Sequence, residues 1–299
     1  MSRVFSLLTL GVLSSVVSNA QGYINLSVDN DLYFGRDWYY SSGIFISTGK
    51  LKIAQDQEEG FPKTYVHWTL GQEIYTPSSR YIRDVSYFDY PYGGWLFLEH
   101  TIEKYKSPFS AWGVSLKGGT TGKASLAPYF QNWYHDKILG LPDVTWEQAL
   151  PQKFHVNLNG NLRKRIPFAN RLALLYEFFG NLGTQRIAAG GRVGLLMGSS
   201  KALSFMGNLL EMQTKGHGIY LGTRQEYRYH DYMVSGSLFN NDASFVLTSI
   251  PYKNSWEAGF AFYSDKWRFL VMWNSVSKDN QLQFEGRHYY LNISIGRFF

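Results

Sequence analysis

Residues 154–163, Phe-His-Val-Asn-Leu-Asn-Gly-Asn-Leu-Arg, alternate apolar and polar side chains along much of their length. Because successive side chains of a β-strand point to opposite faces, Phe154, Val156 and Leu158 share one face, and histidine and asparagine occupy the other. A strand of about ten residues with one apolar and one polar face is typical of a transmembrane β-barrel. The alternation alone also allows a soluble β-sandwich, in which the polar face would be the protein surface.

The amino-acid composition favours the barrel and excludes several other classes of protein. The 299 residues are 17% aromatic and include 29 glycines against 9 prolines, which is untypical of a disordered chain. A mean hydropathy of -0.25, with no apolar run of about 18 residues beyond the N-terminus, excludes a helical membrane protein. The sequence contains no cysteine, so disulfide scaffolds, thiolate metal centres and cysteine nucleophiles are excluded.

The N-terminus has the pattern of a secretory signal peptide. Arg3 precedes an apolar stretch at residues 4–17, and Ser18-Asn19-Ala20 provides small residues before a cleavage site. We predict a signal peptide at residues 1–20 and a mature barrel at 21–299. Loss of Arg3 lowers the formal net charge from +6 to +5, and without a basic cluster no nucleic-acid partner is expected.

The predicted fold is all-β: a transmembrane antiparallel barrel of about 12 strands with a short extracellular helical segment. The alternating segments centre on residues 24–30, 43–50, 66–75, 94–104, 111–119, 154–163, 172–179, 187–197, 219–229, 244–252, 256–274 (long enough for two strands) and 285–299. An even-stranded barrel begins and ends in the periplasm, so the connection after the first strand is predicted to be extracellular. The same orientation places 118–150 outside, where residues 132–140 lack strand alternation and predict a short helix.

Two features of the extracellular connections suggest a functional site. Asn30 shares the apolar face of the first strand and is therefore expected to point toward lipid, where an amide is costly; the ordinary alternative is that Asn30-Asp31 starts a turn. His135 lies in the predicted helical segment, and histidine is the usual general base near neutral pH, although most surface histidines have no such role. No Gly-x-Ser-x-Gly or His-x-x-x-His pattern occurs, which disfavours a serine nucleophile and a zinc site but leaves calcium open.

The chain resembles the outer-membrane lipid A 3'-O-deacylases, the LpxR family. The resemblance extends over nearly the whole mature sequence and is based on an ordered set of short motifs. These are Asn30-Asp31, Tyr40-Ser41-Ser42-Gly43, Gln72-Glu73-Ile74-Tyr75-Thr76-Pro77, Pro91-Tyr92-Gly93-Gly94-Trp95-Leu96, and Gln131 with His135. The resemblance implies a monomeric outer-membrane enzyme that removes the 3'-linked acyloxyacyl group of lipid A in lipopolysaccharide, uses calcium, and has its site at the extracellular leaflet.

The same resemblance implies roles for individual residues. His135 would be the general base that activates water, Asp31 would help to bind calcium, and Asn30 and Ser41 would order the site through hydrogen bonds. The family carries a functional glutamate six residues after the histidine, whereas this chain has Leu141 there. Asp136, Asp143, Glu147 or water would then supply the missing calcium ligand, and we select Glu147 as the substitute.

Two other functions remain open at the level of sequence. The leucine at position 141 is compatible with a catalytically impaired barrel that binds lipopolysaccharide, and polar lumen residues are compatible with a diffusion channel. Arg36, Lys123 and Lys137 lie on predicted outer segments and are candidate contacts for lipid phosphates, although solvated rim positions are the ordinary interpretation.

Overall fold

The strands of this protein close into one antiparallel barrel. The computed structural model describes residues 22–52, 61–199, 215–240 and 242–299. The predicted signal peptide at residues 1–20 lies outside the described residues. The twelve strands of the described chain are β1 (Gly22–Asn30), β2 (Tyr39–Lys52), β3 (Lys63–Thr76), β4 (Gly93–Ser107), β5 (Ser110–Thr121), β6 (Phe154–Ala169), β7 (Leu172–Gly183), β8 (Arg186–Gly198), β9 (Gly216–Asp231), β10 (Tyr252–Tyr263), β11 (Trp267–Ser277) and β12 (Arg287–Phe298).

Each strand pairs with its neighbours in sequence, and β12 pairs with β1 to close the barrel. In the closing pair, Leu26 lies opposite Ile295 and Val28 lies opposite Ile293. Closure leaves no unpaired sheet edge, which is the condition for exposing strands to lipid. The predicted fold class is therefore confirmed.

The alternation of side chains sets the two faces of the wall. On β1, Asn25 and Ser27 are buried in the lumen, whereas Leu26 between them is 44% exposed on the outside. On β6, Phe154 and Leu158 are exposed, and Asn157 between them is fully buried. An apolar exterior around a polar interior is the arrangement that the sequence pattern predicts.

One predicted strand is wrong. Residues 244–252 do not form a strand, apart from Tyr252 at the start of β10. Val246 and Leu247 instead pack against an aromatic cluster that caps one end of the lumen, and the Leu247 N–H donates to the carbonyl of Val234. The number of strands is still twelve because residues 256–274 contain parts of both β10 and β11.

The helices of the described chain are short and lie in the connections between strands. Helix α1 (Ala127–Tyr134) continues directly into a π-helix (His135–Leu139), and α2 (Tyr232–Ser235) follows β9. Single 3-10 turns occur at Leu32–Phe34, Val85–Tyr87 and Gly122–Ser125. Among the described residues, no helix is both long enough and apolar enough to cross a membrane.

Ion pairs line the barrel lumen. Arg192 contacts Glu177 at 2.9 Å and Glu257 at 3.0 Å. Glu226 is held between Arg224 at 2.5 Å and Arg228 at 2.8 Å. They lie within β9, between the neighbouring strands β7 and β8, and between β8 and β10, and they compensate the charges that the polar face of the sheet brings inside.

Candidate active site at the barrel rim

A crevice of about 230 Å³ lies between the outer wall of the barrel and the helical segment of the β5–β6 connection. Its wall side includes Val28 on β1, Ile44 on β2 and Ile74 on β3, and its helix side includes Phe130 and Tyr134. The remaining lining residues are Asn30, Leu32, Asp37, Ser41, Ser42, Gln131, His135 and Leu139. The crevice is therefore outside the lumen, with an apolar floor and a small set of polar groups.

The wall contributes Asn30 and Ser41 through the pairing of β1 with β2. Asn30 lies opposite Ser42 in the register and points outward, as the alternation of β1 predicts. Its Oδ1 accepts a hydrogen bond of 2.6 Å from the Leu32 N–H. Ser41 is at an irregularity in the β2–β3 register, and its hydroxyl donates to the Ile74 carbonyl at 3.4 Å.

Helix α1 brings Gln131 and His135 to the same crevice. Ala127, Gln131 and His135 are four residues apart and all buried, so they form one face of the helical segment. That face lies against the outer wall: a Cβ on outward-facing Gly94 would be only 2.3 Å from Ala127 Cβ, so glycine is needed there. Gln72 on β3 also donates to the Ser125 carbonyl at 2.7 Å.

The π-helix that contains His135 ends at Gly140, which has a φ of +64°. Glycine adopts this left-handed conformation without the steric cost paid by other residues. The Gly140 and Leu141 N–H groups both donate to the His135 carbonyl, the second at 2.9 Å. Single π-helical turns are frequent at functional sites, where they alter the direction of one side chain.

Both ring nitrogens of His135 face acceptors. Nε2 is 2.8 Å from Asp37 Oδ2, and Nδ1 is 3.2 Å from the Pro142 carbonyl oxygen. A backbone carbonyl only accepts, and so does an ionised carboxylate. The surroundings therefore favour the doubly protonated imidazolium.

The pKa of His135 reflects these contacts. Burial of the imidazole lowers the pKa, but the hydrogen bond and charge of Asp37, with the Pro142 carbonyl, outweigh burial and raise the pKa above its ordinary value. The neutral, proton-accepting form of His135 thus requires a higher pH than that of an isolated histidine.

Asp37 is held by groups from two other connections. Arg80 Nε is 3.1 Å from Asp37 Oδ2, and Gln131 Nε2 is 3.4 Å from Asp37 Oδ1. The Thr76 hydroxyl donates to the Asp37 carbonyl at 3.0 Å. These contacts fix the carboxylate beside His135.

Asp31 follows Asn30, the last residue of β1, and is fully buried. Its Oδ2 accepts from the Trp38 N–H at 3.0 Å and is 3.9 Å from His288 Nε2, while its Oδ1 has no hydrogen-bond partner among the described residues. Burial raises the pKa of Asp31 well above its usual range, and the Trp38 bond opposes that shift only in part. A buried carboxylate oxygen without a partner is costly unless a cation or a ligand compensates it.

The residues around the crevice suit a hard cation only in part. Within the described ranges, no group of three or more histidine, aspartate and glutamate side chains is arranged to hold a metal ion. Asp31 Oδ1 and Gln131 Oε1 are nevertheless buried oxygens without hydrogen-bond partners, and carboxylate and amide oxygens are the ligands that calcium prefers. Of the predicted ligands and their neighbours, Asp31, Leu141 and Glu147 are not among the crevice-lining residues. Asp31 lies behind the lining, next in sequence to Asn30, which does line the crevice.

The three candidate phosphate contacts are dispersed around the rim. Arg36 forms an ion pair with Glu285 and stacks over the Tyr289 ring at 5.1 Å. Lys123 lines a separate cavity of about 520 Å³ on the other side of α1. Lys137 is exposed and pairs with Asp136 at 2.6 Å. None of the three lines the crevice itself.

Sequence reasoning missed Asp37 and Arg80 as site residues. Neither lies in a periodic segment or a recognisable motif, and Arg80 is in the β3–β4 connection, far along the chain from His135. The proximity of Asp37 to Asn30-Asp31 in one loop was the only available signal. The contact of Asp37 with His135, and that of Arg80 with Asp37, depend on the packing of three connections against each other.

Comparisons with known proteins agree with this architecture. The profile of a family described as outer membrane protein LpxR matches residues 4–299. The structure of LpxR from Salmonella typhimurium aligns with a TM-score of 0.77 at 16% identity, covering 93% of this chain and 100% of that one. The β domain of the Bordetella autotransporter BrkA aligns with a TM-score of 0.45 at 11% identity, covering 94% and 98% of the two chains.

A search of the curated proteins finds no match. The family profile covers almost the entire sequence, and the similar Salmonella structure has the same overall fold. The chain therefore belongs to the LpxR family of outer-membrane β-barrel proteins.

Proposed function

We propose that this protein is a lipid A 3'-O-deacylase, a calcium-dependent ester hydrolase that acts at the extracellular leaflet of the outer membrane. The observation that carries the proposal is the position of a buried His135–Asp37 pair in a crevice on the lipid-facing wall. A water-soluble substrate would be expected in the lumen or above it, whereas an acyl ester of a membrane lipid reaches the outer wall directly. Membership of the LpxR family supports the same reaction.

His135 acts as the general base in this proposal. In the reactive tautomer Nε2–H donates to Asp37, and Nδ1 exchanges its 3.2 Å contact with the Pro142 carbonyl for a water molecule. Nδ1 takes a proton as the water oxygen attacks the ester carbonyl carbon. The tetrahedral intermediate then expels the 3-oxygen of the sugar, which receives the proton from His135, so the products are a free acyloxyacyl acid and a sugar hydroxyl.

Asp37 positions His135 and stabilises the imidazolium that forms during the reaction. This is the role of the carboxylate in histidine-dependent hydrolases of other folds. Arg80 and Gln131 hold that carboxylate in place through contacts of 3.1 Å and 3.4 Å. The carboxylate that positions His135 therefore comes from the β1–β2 connection.

The wall residues orient the ester. Asn30 Oδ1 is occupied by the Leu32 N–H, which directs the amide so that its Nδ2 protons are the donors available to a developing oxyanion. The Ser41 hydroxyl donates to the Ile74 carbonyl at the irregularity between β2 and β3, which links the two strands at this point, and nothing in its contacts suggests a nucleophile. Val28 and Ile44 form an apolar floor for the acyl chain.

The proposed calcium ion would use buried oxygen atoms that have no hydrogen-bond partner. Asp31 Oδ1 would hold the ion, with Gln131 Oε1 and water as further ligands. Bound calcium would supply Lewis-acid polarisation of the ester carbonyl.

The test is mass spectrometry of lipid A from cells that produce the protein. Wild type is expected to remove the 3'-acyloxyacyl unit, and His135→Ala is expected to abolish this loss. His217→Ala, at an exposed histidine on β9, is the matched control and should behave as wild type. Unmodified lipid A in cells with folded wild-type barrel would refute the enzyme and favour a lipopolysaccharide-binding barrel without catalysis.

The contacts of Leu141 favour that second candidate in one respect. Its backbone N–H donates to the His135 carbonyl, and its apolar side chain does not line the crevice and provides no carboxylate there. Ion pairs inside the lumen argue against the third candidate, a diffusion channel. A conductance measurement in planar bilayers tests that candidate separately.

A further inference from the structure

The helical segment next to the crevice has its polar and apolar faces reversed relative to a helix on a soluble protein. The face that packs on the barrel carries Gln131 and His135, which are 4% and 1% exposed. Leu126, Tyr129 and Trp133 occupy the opposite face at spacings of three and four residues and are 53%, 63% and 52% exposed. In water, a helix normally buries its apolar face and exposes its polar one.

This exposed face is continuous with the lipid-facing wall. Gly94 on β4 and Gln72 on β3 contact the start of α1 from outward-facing positions, so the helix lies beside the barrel. The wall below it exposes Leu98 on β4, Leu116 on β5 and Phe154 on β6, which are 49%, 56% and 73% exposed. The apolar surface therefore extends without interruption from the strands onto α1.

The chemistry of the face matches the boundary between acyl chains and headgroups. Tyrosine and tryptophan are enriched at this boundary because their rings are apolar and their polar ends remain hydrated. Exposed Lys123 and Lys137 flank the helix, where their ammonium groups can reach lipid phosphates while their methylenes stay in the apolar layer. Ile138, which is 58% exposed, extends the apolar surface into the π-helix.

We propose that the Leu126–Tyr129–Trp133 face of α1 is immersed in the interfacial layer of the membrane leaflet at this rim and binds its phosphate-bearing lipids. The immersed helix sets the depth of the crevice behind it, so that His135 lies at the level where ester groups join acyl chains to headgroups. The proposal concerns the membrane contact of the helix and does not depend on catalysis.

The absence of cysteine from the sequence allows a direct test with single-cysteine variants of the full chain. Trp133→Cys and Tyr129→Cys are each labelled with an environment-sensitive nitrobenzoxadiazole probe and reconstituted into phosphatidylethanolamine–phosphatidylglycerol vesicles. Leu116→Cys, on the lipid-facing wall, is the control for a probe in lipid. Arg83→Cys, an exposed position in the β3–β4 connection of the same rim, is the control for a probe in water.

We expect the probes at 133 and 129 to emit at shorter wavelength than the probe at 83, and to be quenched by lipids brominated on their acyl chains, as the probe at 116 is. If both probes match the probe at 83 in emission and quenching, the helix lies in water and the proposal is overturned. Two labelled positions are used so that local disturbance at one of them does not decide the result.

A second measurement links the helix to lipid presentation and rests on the proposed function. Trp133→Asp should lower deacylation of lipid A in vesicles by about tenfold, because an aromatic ring proposed to lie in the interfacial layer is exchanged for a charge. Deacylation of lipid A dispersed in detergent should change little. An equal loss in both conditions would mean a general effect on the site, while loss of all activity in wild type would refute the enzyme and leave the probe result intact.

Discussion

The lumen and the crevice both bury charged side chains, but they compensate them differently. In the lumen, Glu226 contacts two arginines, at 2.5 Å and 2.8 Å. Asp31, behind the crevice, is equally buried, but its ion-pair contact is a longer one, 3.9 Å from Oδ2 to His288 Nε2. Its Oδ1 has no hydrogen-bond partner among the described residues. Buried charges that are paired maintain one packing arrangement, whereas an unpaired one costs stability and indicates a ligand.

Among the substitutions that distinguish the crevice from the lumen, Asp31→Asn should have the largest effect on deacylation. It removes the charge proposed to hold calcium, so deacylation should fall by about 10²- to 10³-fold while the barrel stays folded. Lipid A deacylation is measured in outer membranes with and without chelator, and Asp265→Asn, in the exposed β10–β11 turn, is the control. Activity of wild type that is undiminished in chelator would remove calcium from the mechanism.

Asp37→Asn should have the next largest effect. Without the carboxylate, His135 is less well oriented and kcat should fall by about 10²-fold. Asp37 raises the pKa of His135, and only neutral His135 accepts a proton, so wild-type activity declines as the pH falls through that raised pKa. In Asp37→Asn this acidic decline should shift to lower pH.

The rate profile of Asp37→Asn from pH 5 to 9 distinguishes positioning from a purely structural role. Asp84→Asn, at an exposed position in the β3–β4 connection, is the control and should leave the profile unchanged. A reduced rate with an unshifted acidic limb would mean that Asp37 does not act through His135.

Leu141→Glu should have a smaller effect. It restores a glutamate at the position where this chain departs from the family pattern. The Leu141 side chain does not line the crevice, but its backbone N–H donates to the His135 carbonyl at 2.9 Å. The longer glutamate side chain would place a negative oxygen ligand beside the crevice, so the calcium concentration for half-maximal activity should fall severalfold. Leu141→Gln, which adds no charge, is the matched control. Glu147→Gln should leave calcium dependence unchanged because Glu147 does not line the crevice, and weaker calcium dependence would reinstate Glu147 as a ligand.

Glu226→Gln should leave the activity of the folded protein unchanged. The change leaves Arg224 and Arg228 short of a buried counter-charge, which costs about 3 kcal/mol of stability. The loss is measured as a lower temperature for heat-induced unfolding of the barrel by gel mobility. Deacylation reduced per folded molecule would show that the lumen and the crevice are coupled.

The extent of sequence-based prediction differs between the wall and its connections. The alternation of β1 predicted that Asn30 points outward, and the structure places it in the crevice on the outer wall. The same reasoning failed for residues 244–252. Apart from Tyr252, this segment does not form a strand, and the side chains of Val246 and Leu247 pack against the cluster that caps the lumen. Alternation of apolar and polar residues indicates that one side of a segment is buried. A loop that packs on one side can show this pattern as well as a strand.

The sequence by itself determined the barrel, its strand number and the outward direction of Asn30, because side-chain alternation is a local property that each strand carries independently. The order of short motifs also determined the family. Only the tertiary structure decided that Asp37 and Arg80 join His135, and that α1 turns its aromatic face away from the wall. Those contacts arise between connections that are distant in sequence, and they form only after closure of the barrel has brought the strand ends together.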